Sequence, residues 1–373
     1  MSTLSMQKQV TINELRTTIR TVGHVITPII VSEPGCGKSS LLPMLAEDLK
    51  CEWRKPADTG TARCEDDEYD FIYIDAPLRN VMDMGAYIPD RDDKKLMYYV
   101  SELLNLKNGK KKVIMVDEAM KAPKMMQIIF TRLYLERMWG ESPLPEGSIV
   151  FGTSNNASDN LGDSMLGHGG NRVVFYYMQK PRAKPWLVWA ADKKIHRIIR
   201  SCVMMNPRWL ASYQDGGQED NPVIFKPNNG VLSFVSPRSL AGCDVFLKNK
   251  DVLGQDVLYA SLQGTIGLSA ASMMMAFIDM EKELLQTQEV IADPLGVMVP
   301  EKPAAIIHMM INACDDIQTQ DELVSFMQFV DRIKSEELKM IFCTLGAETK
   351  RTMKLFTNNG EVRKLMAKNI DIF

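Results

Sequence analysis

The sequence predicts an α/β fold, a parallel sheet covered by helices, followed by a mostly helical region. Three observations carry this. In the first half, short apolar runs that end in polar or small residues alternate with helical stretches, the alternation from which βαβ units are built. A glycine-rich turn, Ser32 to Ser40, joins the first such run to a helical stretch. Beyond Pro181 strand-like runs become scarce, and Trp186, Trp189, Ile195, Ile198 and Ile199 fall at helical spacing as core residues.

Taken in order, Thr11-Ile12-Asn13-Glu14 reads as a capping box, and Ile12, Leu15, Ile19 and Val22 then line one face of a helix ending near Val22. Five apolar runs, 25–31, 71–75, 113–116, 149–153 and 173–177, read as strands buried on both faces. Stretches 39–49, 95–106 and 124–138 read as the helices between them, and 54–70 and 214–229 as surface loops. The uncharged window 257–278 is long enough to span a membrane. Ser261, Gln263, Gly264, Thr265, Gly267, Ser269 and Ser272 interrupt it, and it reads as a buried helix pair. Thr319 to Glu322 forms a second capping box, with Leu323, Phe326, Val330 and Ile333 on one face.

A chain of 373 residues exceeds one ordinary core, so a principal domain and at least one smaller one are expected. Forty-four Lys+Arg against 47 Asp+Glu, with 45% hydrophobic residues, excludes disorder and a polybasic nucleic-acid platform. Seven cysteines without a CxxC pair point to reduced thiols and a cytoplasmic compartment; Met1 to Val10 carries no signal pattern, and four scattered histidines offer no zinc spacing. Lys110-Lys111-Lys112 reads as a solvated turn. The 26 methionines fall mostly on helical stretches, as core fillers, with a re-packable partner surface as the other reading.

The chemistry lies in two motifs. In Ser32-Glu33-Pro34-Gly35-Cys36-Gly37-Lys38-Ser39-Ser40 the glycines let successive backbone N–H groups curl around phosphate oxygens, and Lys38 neutralises the β and γ groups. Ser39 would set a hydroxyl on Mg²⁺. Cys36 contributes its backbone N–H, with a redox switch as the alternative. The strict pattern has Gly where Ser32 stands. The second motif, Val113 to Glu118, is an apolar strand ending in two carboxylates. In an ATP-hydrolysing site the first, Asp117, holds Mg²⁺ through water and the second, Glu118, polarises the attacking water.

With these motifs the chain resembles the AAA+ ATPases, in their MoxR-like, dynein-related branch. The resemblance rests on Ser32–Ser40 as Walker A, Asp117-Glu118-Ala119 as Walker B, Leu133 to Arg137 in the following helix, Gly152 to Asn156 at a strand end, and Val235-Ser236-Pro237-Arg238. It spans roughly residues 11–283 and implies a P-loop AAA+ core with a central five-stranded parallel sheet. The implied organisation is a nucleotide-binding core (1–180), a helical lid (181–285) and a helical C-terminal region (286–373). It also implies ATP and Mg²⁺ as ligands. Asn155 becomes the sensor of the γ-phosphate or attacking water, with Asn156 as the alternative. Arg172 becomes the arginine offered to a neighbouring subunit, with Arg132 and Arg137 competing, and Arg238 the arginine reaching the γ-phosphate from the lid.

The segment Asn80 to Gly85 resembles the place where this branch inserts a hairpin or loop facing a central pore. The implied assembly is a hexameric ring that remodels a protein client, a von Willebrand factor A-type protein among the candidates. Two rival functions remain: a nucleic-acid motor or loader, and a nucleotide-binding scaffold that hydrolyses poorly.

Overall fold

The computed structural model describes residues 8–51, 68–156, 173–227, 230 and 232–368, and the backbone of 63–65. Two compact units divide the chain, residues 1–180 with 226–230, and residues 181–225 with 231–373.

The first unit is built on one sheet. Its strands are β1 (Gln9–Val10), β2 (Pro28–Ser32), β3 (Arg63–Glu65), β4 (Tyr69–Asp75), β7 (Lys111–Asp117), β10 (Ile149–Asn155) and β11 (Val174–Met178), in the order β1-β11-β2-β10-β7-β4-β3. Between β4 and β7 the chain forms a two-stranded ribbon of β5 (Gly85–Asp90) and β6 (Lys95–Val100), and β8 (Met138–Trp139) and β9 (Ser142–Pro143) make a second small one. All five expected strands are present, mutually parallel, and central. The sheet itself is wider than expected: β1 adds a sixth parallel strand beside β11, and β3 runs antiparallel along β4 at the far edge. At two and three residues these edge strands are too short to leave a hydrophobic pattern.

The central strands are apolar throughout because both faces are covered. Ile29, Val31, Ile72, Ile74, Ile114, Val116 and Val150 point to the side of helix α3 (Lys124–Glu136). Their neighbours Ile30, Phe71, Val113, Met115, Ile149 and Phe151 point to the side of α1 (Ile12–Val22) and α2 (Leu41–Asp48). The capping box at Thr11 forms, with the Thr11 side chain on the Glu14 N–H and the Glu14 carboxylate on the Thr11 N–H.

The helix expected over 95–106 does not form. Lys95–Val100 is β6, antiparallel to β5, and two short 3₁₀ turns follow it. Turn chemistry overrides the helix-forming residues here. The Asp90 carboxylate accepts the N–H groups of Asp92 (3.1 Å) and Asp93 (3.3 Å), and Lys94 takes a left-handed φ of 50°, so the chain reverses at once. The lysine run is not wholly solvated either. Lys112 is fully buried and paired with Asp70 at 2.5 Å.

The second unit is helical: α4 (Ala183–Asp192), α5 (Arg197–Met205), α6 (Pro237–Lys248), α7 (Lys250–Leu253), α8 (Gln255–Ile266), α9 (Leu268–Glu281), α10 (Thr287–Ala292), α11 (Pro303–Asp316), α12 (Gln320–Asp331), α13 (Glu336–Glu348), α14 (Met353–Asn358) and α15 (Gly360–Lys368). One continuous core, from Trp186 to Val362, holds it together; Trp189 is 39% exposed, less buried than its spacing suggests. The uncharged window is the packed pair α8 and α9, broken at Gly267 with its φ of 83°. No helix among the described residues is long and apolar enough to cross a membrane. The capping box at Thr319 opens α12 as expected. Among the described cysteines, Cys36, Cys51, Cys202, Cys243, Cys314 and Cys343 are free thiols.

Candidate functional site

Polar side chains gather at the carboxyl ends of β2, β10, β7 and β4, where open parallel sheets bind ligands. The turn after β2 needs glycine twice, at Gly35 (φ 75°) and Gly37 (φ 94°), since other residues rarely adopt that backbone. Ser32 is the last residue of β2, in extended backbone, so a Cβ is tolerated where the strict motif has Gly. Its hydroxyl serves as an acceptor for Lys38.

Lys38 is buried, and its ammonium donates to the carbonyl oxygens of Ser32 (3.0 Å) and Glu33 (3.0 Å), to Ser32 Oγ (3.1 Å) and to Asn155 Oδ1 (3.0 Å). These bonds hold the ammonium at the mouth of the glycine turn, between the ends of β2 and β10. Glu33 is buried beside Lys180 at 3.8 Å. Cys36 is 1% exposed; burial, then the Glu33 carboxylate, pushes its thiol up to about 12. The protonated thiol is a poor redox centre, which leaves its backbone as the useful part. Pro34 and Ser40 complete the turn, Ser40 N–H donating to Gly37 O at 2.9 Å.

β10 lies between β2 and β7. Register therefore sets Asn155 opposite Ser32, and Asn155, not Asn156, reaches Lys38. On the other side Thr153 donates its hydroxyl to Asp117 Oδ1. Asp117 closes β7 and receives three further donors: the Tyr73 hydroxyl on Oδ2 (2.8 Å), the Ser39 hydroxyl on Oδ2 (3.3 Å) and the Glu118 N–H on Oδ1 (3.2 Å). Burial, then the Asp117 carboxylate, push the Tyr73 hydroxyl up, so it stays a donor. Glu118 takes a left-handed φ of 52°, an uncommon and strained conformation for a non-glycine residue, and ion-pairs with Lys121 at 2.9 Å.

Asp75 ends β4 in register with Asp117. Burial first, then Asp117 and Glu118, raise its carboxyl. Neither Tyr73 nor Asp75 was anticipated as a site residue. The available signal was the acid closing the second apolar run, as Asp117 closes the third.

The oxygen donors Ser39 and Asp117 suit a hard divalent cation. Among the described residues no three His, Cys, Asp or Glu side chains converge as a metal cage. A Mg²⁺ ion here would complete its shell with phosphate oxygens and water, as this ion usually does.

The arginine candidates separate. Arg132 is exposed on α3 and bridges Glu136 (3.0 Å) and Glu141 (3.2 Å). Arg137 ends α3 with φ 55° and turns its guanidinium onto the carbonyls of Gly23, Leu133 and Tyr134 and the Thr27 hydroxyl; burial lowers it to about 10. Arg172 lies outside the described residues. Arg238 is exposed in the first turn of α6, in the helical unit.

No protein-family model matches the chain, and neither does any curated protein sequence. Among solved structures it is similar to a RuvB mutant of Thermotoga maritima (12% identity, TM-score 0.34, 77% of each chain). It is also similar to S. cerevisiae Hsp104 in complex with ADP (13%, TM-score 0.33), covering 97% of this chain but only 52% of that one. A third is the replication initiator DnaA bound to AMPPCP and single-stranded DNA (16%, TM-score 0.32, 96% and 92%).

Proposed function

We propose that the chain is a Mg²⁺-dependent ATPase of the AAA+ type, in its MoxR-like branch. The observation that carries this is the convergence of Lys38, Asn155 and Asp117 at the ends of three neighbouring strands, above a glycine turn with two left-handed residues.

The N–H groups of residues 35–39 cradle the phosphates, and Lys38 exchanges its bonds to Ser32, Glu33 and Asn155 for phosphate oxygens. Bound through Ser39 and the Asp117 shell, Mg²⁺ would supply positive charge against the charge developing on the β and γ oxygens. Asn155, already against Lys38, orients the attacking water or the γ-phosphate without adding charge. Glu118, one residue beyond the strand end, accepts the proton of that water once it parts from Lys121. Residues 1–180 form the nucleotide core, 181–285 the lid bearing Arg238, and 286–373 the C-terminal helical region. Arg172 is the arginine offered to a neighbouring subunit in a hexameric ring. Arg132 is the alternative, since Arg137 is spent on its own helix end.

A protein client is favoured over nucleic acid by the β5–β6 ribbon. It exposes Tyr87, Ile88, Leu96, Met97 and Tyr99, with Met82 beside it 79% exposed, while the chain as a whole is slightly acidic. Many of the described methionines are buried, Met115, Met274 and Met310 among them, but Met82 and Met97 are exposed at the ribbon, and Met125, Met298 and Met353 elsewhere. A von Willebrand factor A-type partner remains a candidate on the resemblance alone.

ATP binding and phosphate release, measured for the unmodified protein and Lys38→Ala, test the reading. ATP should bind and be hydrolysed, and Lys38→Ala should lose binding; equal binding by both would sink it. Turnover stimulated by single-stranded DNA but not by unfolded protein would favour the nucleic-acid motor, and binding without turnover the scaffold.

A further inference from the structure

We propose that Tyr73 is a positioning residue for the divalent cation, its hydroxyl fixing the carboxylate of Asp117 in the orientation that receives the ion. The inference rests on the ATPase reading of the site and goes beyond it, because neither the phosphate loop nor the acidic pair calls for a tyrosine on β4.

Tyr73 lies opposite Met115 on β7, two residues before the paired ends Asp75 and Asp117. From there its hydroxyl reaches Asp117 Oδ2 at 2.8 Å, closer than the 3.3 Å of the Ser39 hydroxyl on the same oxygen. Oδ1 is held separately by Thr153 and the Glu118 N–H. The carboxylate is therefore gripped at both oxygens, and Tyr73 is the tighter of the two side chains on the oxygen that faces Ser39. Rotation of Asp117 would break donors on both sides at once.

The ring of Tyr73 belongs to the core on the α1 and α2 side, with Leu41, Leu45, Phe71 and Met115. Tyr73→Phe keeps that packing and removes only the hydroxyl, so the two roles separate. Outer-shell partners of metal-bound carboxylates typically contribute 10–100-fold to metal affinity.

The test is Mn²⁺ binding to Tyr73→Phe, followed by electron paramagnetic resonance with a saturating non-hydrolysable ATP analogue. Nucleotide affinity in EDTA and thermal unfolding without metal are measured alongside. The expected result is Mn²⁺ affinity weakened by about tenfold or more, with the other two quantities unchanged. Unchanged Mn²⁺ affinity, with nucleotide bound, overturns the role of Tyr73 alone. Parallel loss of metal binding, nucleotide binding and thermal stability makes Tyr73 a packing residue and also overturns it. An unmodified protein that binds neither the analogue nor Mn²⁺ overturns the ATPase reading itself.

Discussion

The two ends of β7 bury charge in opposite ways. At the amino end Lys112 and Asp70 are both fully buried and meet at 2.5 Å. Lys112 also donates to Asn108 Oδ1 (2.6 Å) and Asn105 O (3.0 Å), and Asn108 returns a bond to Asp70 (2.7 Å). Opposite charges cancel inside a buried network. At the carboxyl end Asp117 has hydroxyls and one N–H as its described partners, Asp75 and Glu118 stand near it, and Lys38 donates to oxygens of Ser32, Glu33 and Asn155. Glu118 pairs with Lys121 at 2.9 Å, while the Asp117 carboxylate is held by hydroxyls and an N–H. The first cluster neutralises itself within the fold; the second, under the proposed function, presents its donors and carboxylates to phosphate and a cation.

The largest effect should come from the open end. Glu118→Gln should keep ATP binding and lower turnover by roughly 10²–10⁴-fold, the usual worth of a positioned general base, as read by phosphate release. Hydrolysis at the unmodified rate would remove Glu118 from the chemistry.

At the closed end Lys112→Met strands Asp70 without its charge partner, which should cost about 3–5 kcal/mol. Lys38→Met removes bonds to two backbone carbonyls, a hydroxyl and an amide oxygen and should shift the unfolding midpoint less, while abolishing nucleotide binding. Denaturant titrations of the two variants measure this difference, and equal destabilisation would collapse the contrast between the ends.

The helical unit offers a third arrangement, sensitive to pH. Burial lowers His196 to about 4 from 6.5, so the native ring refuses a proton that the unfolded chain accepts as pH falls below 6.5. Glu281 is held at about 2, against 4.5, by the His308 ring first, its Nε2 3.4 Å away, and by Lys250 at 2.9 Å. Its stabilisation is present above about 4.5 and lost as pH falls toward 2. Both groups therefore destabilise the fold in acid, His196 from 6.5 down to 4 and Glu281 below that. Unfolding midpoints at pH 7, 5 and 3 should fall in sequence, and a midpoint flat across this range would contradict both assignments. The smallest effect belongs to Thr11→Ala, which removes the α1 cap and should cost about 1 kcal/mol by thermal unfolding, with ATP binding intact.

Legibility followed the range of each interaction. The five central strands could be read because burial on both faces makes each a continuous apolar run, and both capping boxes because their partners are three residues apart. Residues 95–106 read as a helix, where β6 forms instead, because Leu96 and Met97 suit either state and the Asp90 turn decided between them. Lys112 passed for a solvated residue because its partner, Asp70, lies 42 positions away in sequence. Tyr73 was hidden inside an apolar run as one more core aromatic.

By itself the sequence determined the phosphate-loop turn, the acidic pair at a strand end, the alternation that builds a parallel sheet and the change to helices after Pro181. All are local: glycine's access to left-handed backbone, strand and helix periodicity, and caps within one turn. Tertiary structure alone decided which polar groups meet. Placing β10 between β2 and β7 sets Asn155 on Lys38 and Thr153 on Asp117, and pairing β4 with β7 brings Tyr73 to the same carboxylate. Such meetings depend on strand order and register between segments tens of residues apart, which no local pattern encodes.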